Sequence, residues 1–247
     1  MNKQYQVVVL AGGKGVRMHR EGLPKVLVPF KDKPLLSYVL DTLGGIGDIS
    51  SIMIVVGYMA ETVKQAFGEE KYTYAFQEKQ LGTAHAVLAA KHLISAEDFL
   101  VLYGDMPFIS KESVQKILSA HTDSTATLTM FTVSVPSFEG VNSTLFHYGR
   151  VVRDNDGVVQ KIIEFKDCTE EQKQIKEVNP GLYVFRSQNI WTYLSWVQAN
   201  NEQHEYYLTD VVELALKDGG SVLTVPLPPE EAIGINSEED LAQAHGV

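Results

Sequence analysis

The chain has 247 residues, 45% of them hydrophobic, with 31 acidic against 21 basic side chains and a formal net charge of −10. That length and apolar content suffice for one large α/β domain or two small ones, and an acidic balance with no block of Lys and Arg argues against a nucleic-acid surface. One cysteine, Cys168, excludes an internal disulfide, and the short N-terminal apolar run is no signal peptide and precedes no 18-residue apolar stretch, so the expectation is a cytoplasmic protein without membrane or nucleic-acid partners.

In chain order, apolar β-branched runs alternate with helical patterns. Strands are expected at 7–10, 52–56, 72–76 and 99–103, with helices near 35–43, 61–67 and 83–93 between them. This alternation predicts βαβ units: an α/β fold with a Rossmann-like, mostly parallel sheet and helices on both faces. Ser110 caps a helix running towards Ala120, and 126–133 reads as the next strand. From Pro136 to His147 the pattern lapses into an irregular excursion. Strands at 149–153 and 158–164 flank Asp154-Asn-Asp-Gly157, a hairpin turn. Thr169-Glu-Glu-Gln172 is a capping-box pattern opening a short charged helix. A strand at 177–185, helices at 191–197 and 209–217 and a strand at 221–226 follow, and Ser237 caps a last helix running to Val247. No internal repeat or low-complexity linker interrupts the chain.

The densest chemical signal is Leu10-Ala-Gly-Gly-Lys-Gly-Val-Arg-Met18, followed by Leu23-Pro-Lys-Val-Leu27. Backbone N–H groups freed by glycine, with Lys14, Arg17 and Lys25 around them, form a cradle for a polyphosphate at the edge where open α/β sheets bind ligands. The spacing matches neither the dinucleotide fingerprint nor G-x-x-x-x-G-K-[ST]. A tight strand-to-loop turn with solvated charges is the alternative reading of the same residues. Further on, Gln77 ends a strand and Gly82-Thr83 opens a helix, so an amide that both donates and accepts stands ready for a base edge; a surface glutamine before an ordinary helix cap is the alternative. Tyr103-Gly-Asp105 sets a carboxylate at the carboxyl end of a strand, a natural Mg²⁺ ligand beside a phosphate loop, although a lone strand-end Asp also serves as a turn or cap residue. Seven histidines show no zinc-binding spacing, Cys168 has no cysteine partner, and no G-x-S-x-G elbow occurs, which argues against a covalent hydrolase.

These motifs resemble the signature of the sugar nucleotidyltransferases, and Leu23-Pro-Lys-Val-Leu27 resembles that of the bacterial N-acetylglucosamine-1-phosphate uridyltransferases. The matches run from residue 10 to residue 236 in the family's order. The resemblance implies one nucleotidyltransferase domain over 1–247, with a nucleotide-binding part about 1–125, a sugar-binding part about 126–236 and a C-terminal helix 237–247. It implies Mg²⁺-dependent transfer of UMP from UTP to N-acetylglucosamine 1-phosphate, giving UDP-N-acetylglucosamine and pyrophosphate, and it carries roles to matching positions. Leu10, Ala11, Gly12, Gly13, Gln77, Gly82, Thr83, Tyr103 and Gly104 would line the nucleotide. Arg17 would hold the leaving phosphates, and Lys25 the α-phosphate and the incoming one. Asp105 and Asn236, the latter in Ile233-Gly-Ile-Asn236, would bind the metal; Gly149, Glu164 and Asn179 would bind the sugar.

Departures from the family pattern are Gly12 for Ala, Val16 for Thr, His147 for Gly, Pro180 for Thr and one extra residue between Arg17 and Lys25. They leave room for glucose or N-acetylgalactosamine 1-phosphate, or for another nucleotide, as substrate. A non-catalytic nucleotide-sugar-binding regulator is the reading from a different class. The hexapeptide repeat of a left-handed β-helix acetyltransferase, common downstream in this family, is missing from these residues. Oligomeric state is not legible.

Overall fold

The computed structural model describes residues 4–18, 20 and 22–245. Its first strand, β1 (Tyr5–Leu10), is apolar at consecutive positions because both faces are covered: Val7 and Val9 enter one core, Val8 and Leu10 the other. A small hairpin, β2 (Pro29–Phe30) and β3 (Lys33–Pro34), too short to leave a periodic trace, precedes α1 (Leu35–Gly44). There follow β4 (Ile49–Val56), α2 (Ala60–Phe67), β5 (Thr73–Phe76), α3 (Thr83–Ala89), β6 (Asp98–Tyr103) and α4 (Lys111–Thr122). Ser110 caps α4 as expected, its hydroxyl accepting from the Ser113 N–H at 3.1 Å. Past α3 the chain tightens into a 3₁₀ turn, Lys91–Leu93, so the helix expected over 83–93 is two pieces.

The strands β5-β4-β1-β6 lie side by side and are all parallel. The chain steps outward from β1 to β4 and β5, then returns to the other side of β1 as β6. Strand order therefore reverses between β1 and β6, and a crevice opens at their carboxyl ends. Helices α1, α2 and α4 cover one face of the sheet, and α3 the other.

The second half is antiparallel apart from one pair. It comprises β7 (Leu128–Ser134), β8 (Gly149–Arg153), β9 (Val159–Ile163), β10 (Glu177–Asn179), β11 (Tyr183–Arg186), α5 (Ser187–Trp196), α6 (Asp210–Lys217), β12 (Val222–Pro226) and α7 (Glu238–Ala244). Strand β11 joins β6 to β7, β12 runs parallel to β7, and the β8–β9 hairpin closes the sheet against β10. Helices α5 and α6 share the face of α3. Helix α5 begins at Ser187, earlier than its aromatic residues suggest. The capping box forms in both directions, the Gln172 N–H to Thr169 Oγ1 at 3.2 Å and the Thr169 N–H to Gln172 Oε1 at 2.9 Å, but opens only a 3₁₀ turn, Gln172–Gln174. The last helix stops at Ala244; its expected run to Val247 includes residues 246 and 247, which lie outside the described residues.

The strand expected over 177–185 is interrupted. Val178 faces Val133 and Tyr183 faces Met130, so five steps along one strand answer three along the other, a two-residue bulge. Asn179-Pro-Gly181 makes it: Pro180 has no N–H for the ladder, and Gly181 adopts φ +82°. The Asn179 amide substitutes for the lost pairing. Its oxygen accepts from the Gly181 N–H at 3.0 Å and the Tyr183 hydroxyl at 2.6 Å, and its nitrogen donates to the Phe131 carbonyl at 3.2 Å.

A third apolar cluster joins Met18, Phe30 and Leu35 to Ile235, Leu241 and Ala244. It fastens the end of the glycine-rich loop to the C-terminal segment, which lies more than 200 positions away in the chain. Among the described residues no helix is long and apolar enough to cross a membrane.

Candidate active site

Two cavities meet at the carboxyl ends of β1 and β6. The first, about 400 Å³, is lined by residues 10–16, Lys25, Gln77, Gly82, Thr83 and Glu205 among others. The second, about 260 Å³, is lined by Arg17, His147, Tyr148, Gly149, Glu164, Asn179, Pro180, Gly181 and Thr209 among others. Tyr103, Asp105 and Asn236 line both. Every sequence-predicted site residue lines one cavity or the other except Gly104. That glycine faces inward, where an added Cβ would stand 3.0 Å from Leu36 Cδ1, so it serves packing.

In the first cavity, Gln77 is buried and its amide orientation is set from within. Its nitrogen donates to the Gly82 carbonyl at 3.1 Å and lies 3.0 Å from His85 Nδ1, which leaves the carbonyl oxygen towards Gly12. A Cβ at Gly12 would come within 3.1 Å of that oxygen. Gly15 has a sharper role than a generic loop glycine. At φ +63° its missing Cβ would lie 2.6 Å from Lys25 Cβ, so the lysine stem passes where only glycine leaves space.

At the junction the Lys25 ammonium donates to both Asp105 Oδ2 and Asn236 Oδ1, the latter at 2.9 Å. Lys25 is set by a 3₁₀ turn, Lys25–Leu27, anchored through buried Val26 and Leu27. Asn236 arrives on the C-terminal segment, which is pinned on three sides. The Ile235 N–H bonds the Asp105 carbonyl at 2.9 Å, the Gly234 N–H bonds the Tyr148 hydroxyl at 3.0 Å, and that hydroxyl donates to the Ala232 carbonyl at 2.8 Å. Tyr148 is thus a supporting residue that sequence reasoning did not single out. Burial raises its hydroxyl pKa, with Asp105 adding to the effect, so it remains a neutral donor.

The 3₁₀ turn Val16–Met18 buries Met18 in the third cluster and places Arg17 at the second cavity, with His147 and Tyr148. That position does not favour the expected role on leaving phosphates in the first cavity. Asn179 lines the second cavity, but its amide is committed to the bulge, so it shapes the wall more than it reaches out. Arg150, beside Gly149, lines neither cavity: it is buried against the carbonyls of Phe146, Tyr148 and Lys173 and the rings of Phe138, Phe146 and Phe165. Glycine at 149 is required by the wall, since a Cβ there would stand 2.8 Å from Ile162 Cγ2.

Glu164 accepts from the Thr209 hydroxyl at 2.9 Å, and burial raises its carboxyl pKa against the lowering effect of that bond. Thr209 belongs to a segment clamped onto the mouth of the first cavity. The Ala84 N–H bonds the Tyr206 carbonyl at 2.9 Å, the Tyr206 N–H bonds the Leu81 carbonyl at 2.8 Å, and the Leu208 N–H bonds Thr83 Oγ1 at 2.9 Å. Gly82 permits this clamp as much as any approach of a base. At φ +117°, a Cβ would fall 2.5 Å from the Tyr206 carbonyl oxygen.

The segment spanning residues 7–154 matches the MobA-like NTP transferase domain. The chain belongs to this family. It is 42% identical over 250 residues to the bifunctional protein GlmU of Geobacillus thermodenitrificans, covering all of this chain and 52% of that protein. It is 38% identical over 241 residues to GlmU of Desulfotalea psychrophila, covering 96% of this chain and 68% of that one. The chain thus spans about half to two thirds of these curated relatives. A solved structure described as a glucose-1-phosphate thymidylyltransferase of Bacillus anthracis superposes with a TM-score of 0.77 at 19% identity, over 98% of this chain and 94% of the other, which shows the shared fold. As a member of the NTP transferase family the chain is a nucleotidyltransferase. Of the expected departures, Gly12 and exposed Val16 lie at the first cavity, and His147 and Pro180 at the second.

Behind Glu164, burial together with neighbouring Glu213 and Asp167 pushes the Asp210 carboxyl up to about 6. An unfolded aspartate titrates near 3.9, so between about pH 4 and 6 the folded chain binds more protons and stability falls as pH rises. Asp210→Asn is therefore expected to raise the thermal midpoint at pH 8, with the gain shrinking as pH falls towards 4. Melting curves across that range check it; an equal gain at both ends would reject the assignment.

Proposed function

We propose that the chain transfers UMP from UTP to N-acetylglucosamine 1-phosphate in a Mg²⁺-dependent reaction, releasing pyrophosphate and UDP-N-acetylglucosamine. The observation that carries this reading is the meeting of two cavities at Asp105 and Asn236, which the Lys25 ammonium bridges. A nucleotide placed in the first and a sugar phosphate in the second would bring α-phosphorus and attacking oxygen together there. In the first cavity the free Gln77 oxygen suits a ring N–H, as in uracil, while the glycine-rich backbone cradles phosphates.

In the second cavity, Glu164, ordered by Thr209, offers an acceptor to a hexose hydroxyl, with the Gly149 backbone beside it. No general base is needed, because a phosphate monoester with a second pKa of about 6 is already largely dianionic at neutral pH. Lys25 neutralises charge on the α-phosphate, and Arg17, at the sugar-side mouth, neutralises the incoming phosphate. Asp105 and Asn236 fit a hard divalent cation, since a carboxylate and an amide oxygen already converge on one ammonium; substrate phosphates and water complete such a shell. When bound, Mg²⁺ would offset charge on the phosphates.

The specific observation favouring another sugar is the wall formed by His147 and Pro180. Pyrophosphate release with UTP against N-acetylglucosamine, glucose and N-acetylgalactosamine 1-phosphates tests the proposal. The N-acetylglucosamine ester is expected to give the highest kcat/KM. A higher value for either other sugar would transfer the assignment to it, and tight product binding without pyrophosphate release would favour a regulator.

A further inference from the structure

We infer that Lys25 is the resident cation of the Asp105–Asn236 seat and must vacate it before a divalent ion can enter, so that metal and nucleotide bind as a coupled pair. This rests on the metal seat proposed above. The ammonium bonds Asp105 Oδ2 and Asn236 Oδ1, the same two oxygens that would ligate the metal. The Lys25 side chain is 16% exposed and that of Asp105 10%, so the pair is largely withdrawn from water. An ammonium and a divalent ion repel each other, and in this poorly solvated place the two cannot share one pair of oxygens. Removing the ammonium without replacement would leave a partly buried carboxylate uncompensated.

The exchange has a built path. Lys25 lines the first cavity, and its Cβ is held against Gly15, so the base of the stem stays fixed while the flexible end can turn towards the glycine-rich loop. A polyphosphate lodged in that loop offers the ammonium new anionic partners and frees Asp105 and Asn236. Metal alone meets a filled seat; metal arriving with a nucleotide meets an open one. Reciprocity requires that each then raise the affinity of the other.

Free Mn²⁺, counted by electron paramagnetic resonance, tests this on the full chain after chelation and without nucleotide. Lys25→Met is expected to bind Mn²⁺ about 10-fold tighter than wild type, the gain from opening a seat that is closed about nine-tenths of the time. Lys25→Gln should do the same, and covers the case in which the first variant fails to fold. Lys14→Met removes an equal charge from the same cavity without touching the seat, and is expected to stay near wild type. Equal affinity in wild type and both Lys25 variants overturns the exchange, and so does a gain in Lys14→Met as large as theirs. Asp105→Asn, titrated with UTP present, separates the two layers. If it leaves Mn²⁺ affinity intact, the seat itself is misassigned; if it weakens binding while the Lys25 variants show no gain, only the exchange fails.

Discussion

Lys25→Ala is expected to lower turnover at saturating substrates by about 10²–10³, the scale for losing one preorganised charge partner of a transition state. The side chain lines the first cavity and is bonded to Asp105 and Asn236, which line both, with its stem threaded past Gly15. Alanine removes the cation that would neutralise the α-phosphate as it takes up the incoming oxygen. Such a loss falls on kcat more than on KM, because the charge it meets develops only as the reaction proceeds. If the Mn²⁺ seat also opens, the variant will hold metal more tightly and still turn over more slowly, so metal affinity cannot explain the defect. Steady-state pyrophosphate release decides it, and a wild-type kcat would remove Lys25 from the chemistry.

The second large effect is expected at Gly82. Gly82→Ala should destabilise the fold by about 3 kcal/mol, combining a positive-φ strain of 1–3 kcal/mol with overpacking of similar size. The obstruction is backbone: Tyr206 oxygen and nitrogen would lie 2.5 and 2.6 Å from the new Cβ, and no rotamer change can move them. Relief requires the clamp over 205–209 to lift, loosening the Thr83–Leu208 and Thr209–Glu164 bonds together. A rise in KM for the sugar phosphate should therefore accompany the lower denaturation midpoint. Gly13→Ala is the natural control, since a Cβ there meets nothing within 4 Å. Urea titration of the pair tests the assignment, and matching midpoints would show that the clamp yields freely.

Elements with strong periodicity were legible because their physics is local. Strand β1 lies over the run expected at 7–10, α4 begins after its Ser110 cap, and β8 matches its expected bounds, since burial pattern and capping hydrogen bonds are set by neighbouring residues. The strand expected over 177–185 breaks where its register is set by a partner distant in the chain. The bulge at Asn179–Gly181 is defined against β7, which lies opposite and has no such insertion. Gly104 shares the Tyr-Gly-Asp motif with two cavity-lining residues, yet a side chain there would run into Leu36 and Val26.

By itself, the sequence determined the alternation of strand and helix, the glycine-rich loop with its cations, and a carboxylate at the end of β6. Each is a property of one short segment, and burial period, turn chemistry and charge can be read segment by segment. Tertiary structure alone decided that Asn236 would stand beside Lys25. The Met18–Phe30–Ile235 cluster folds the C-terminal segment onto the loop, and Tyr148 and the Asp105 carbonyl hold it there. It also decided that Lys25 would occupy the oxygens expected for a metal. That competition exists only once packing has brought three segments, far apart in the chain, within hydrogen-bonding reach.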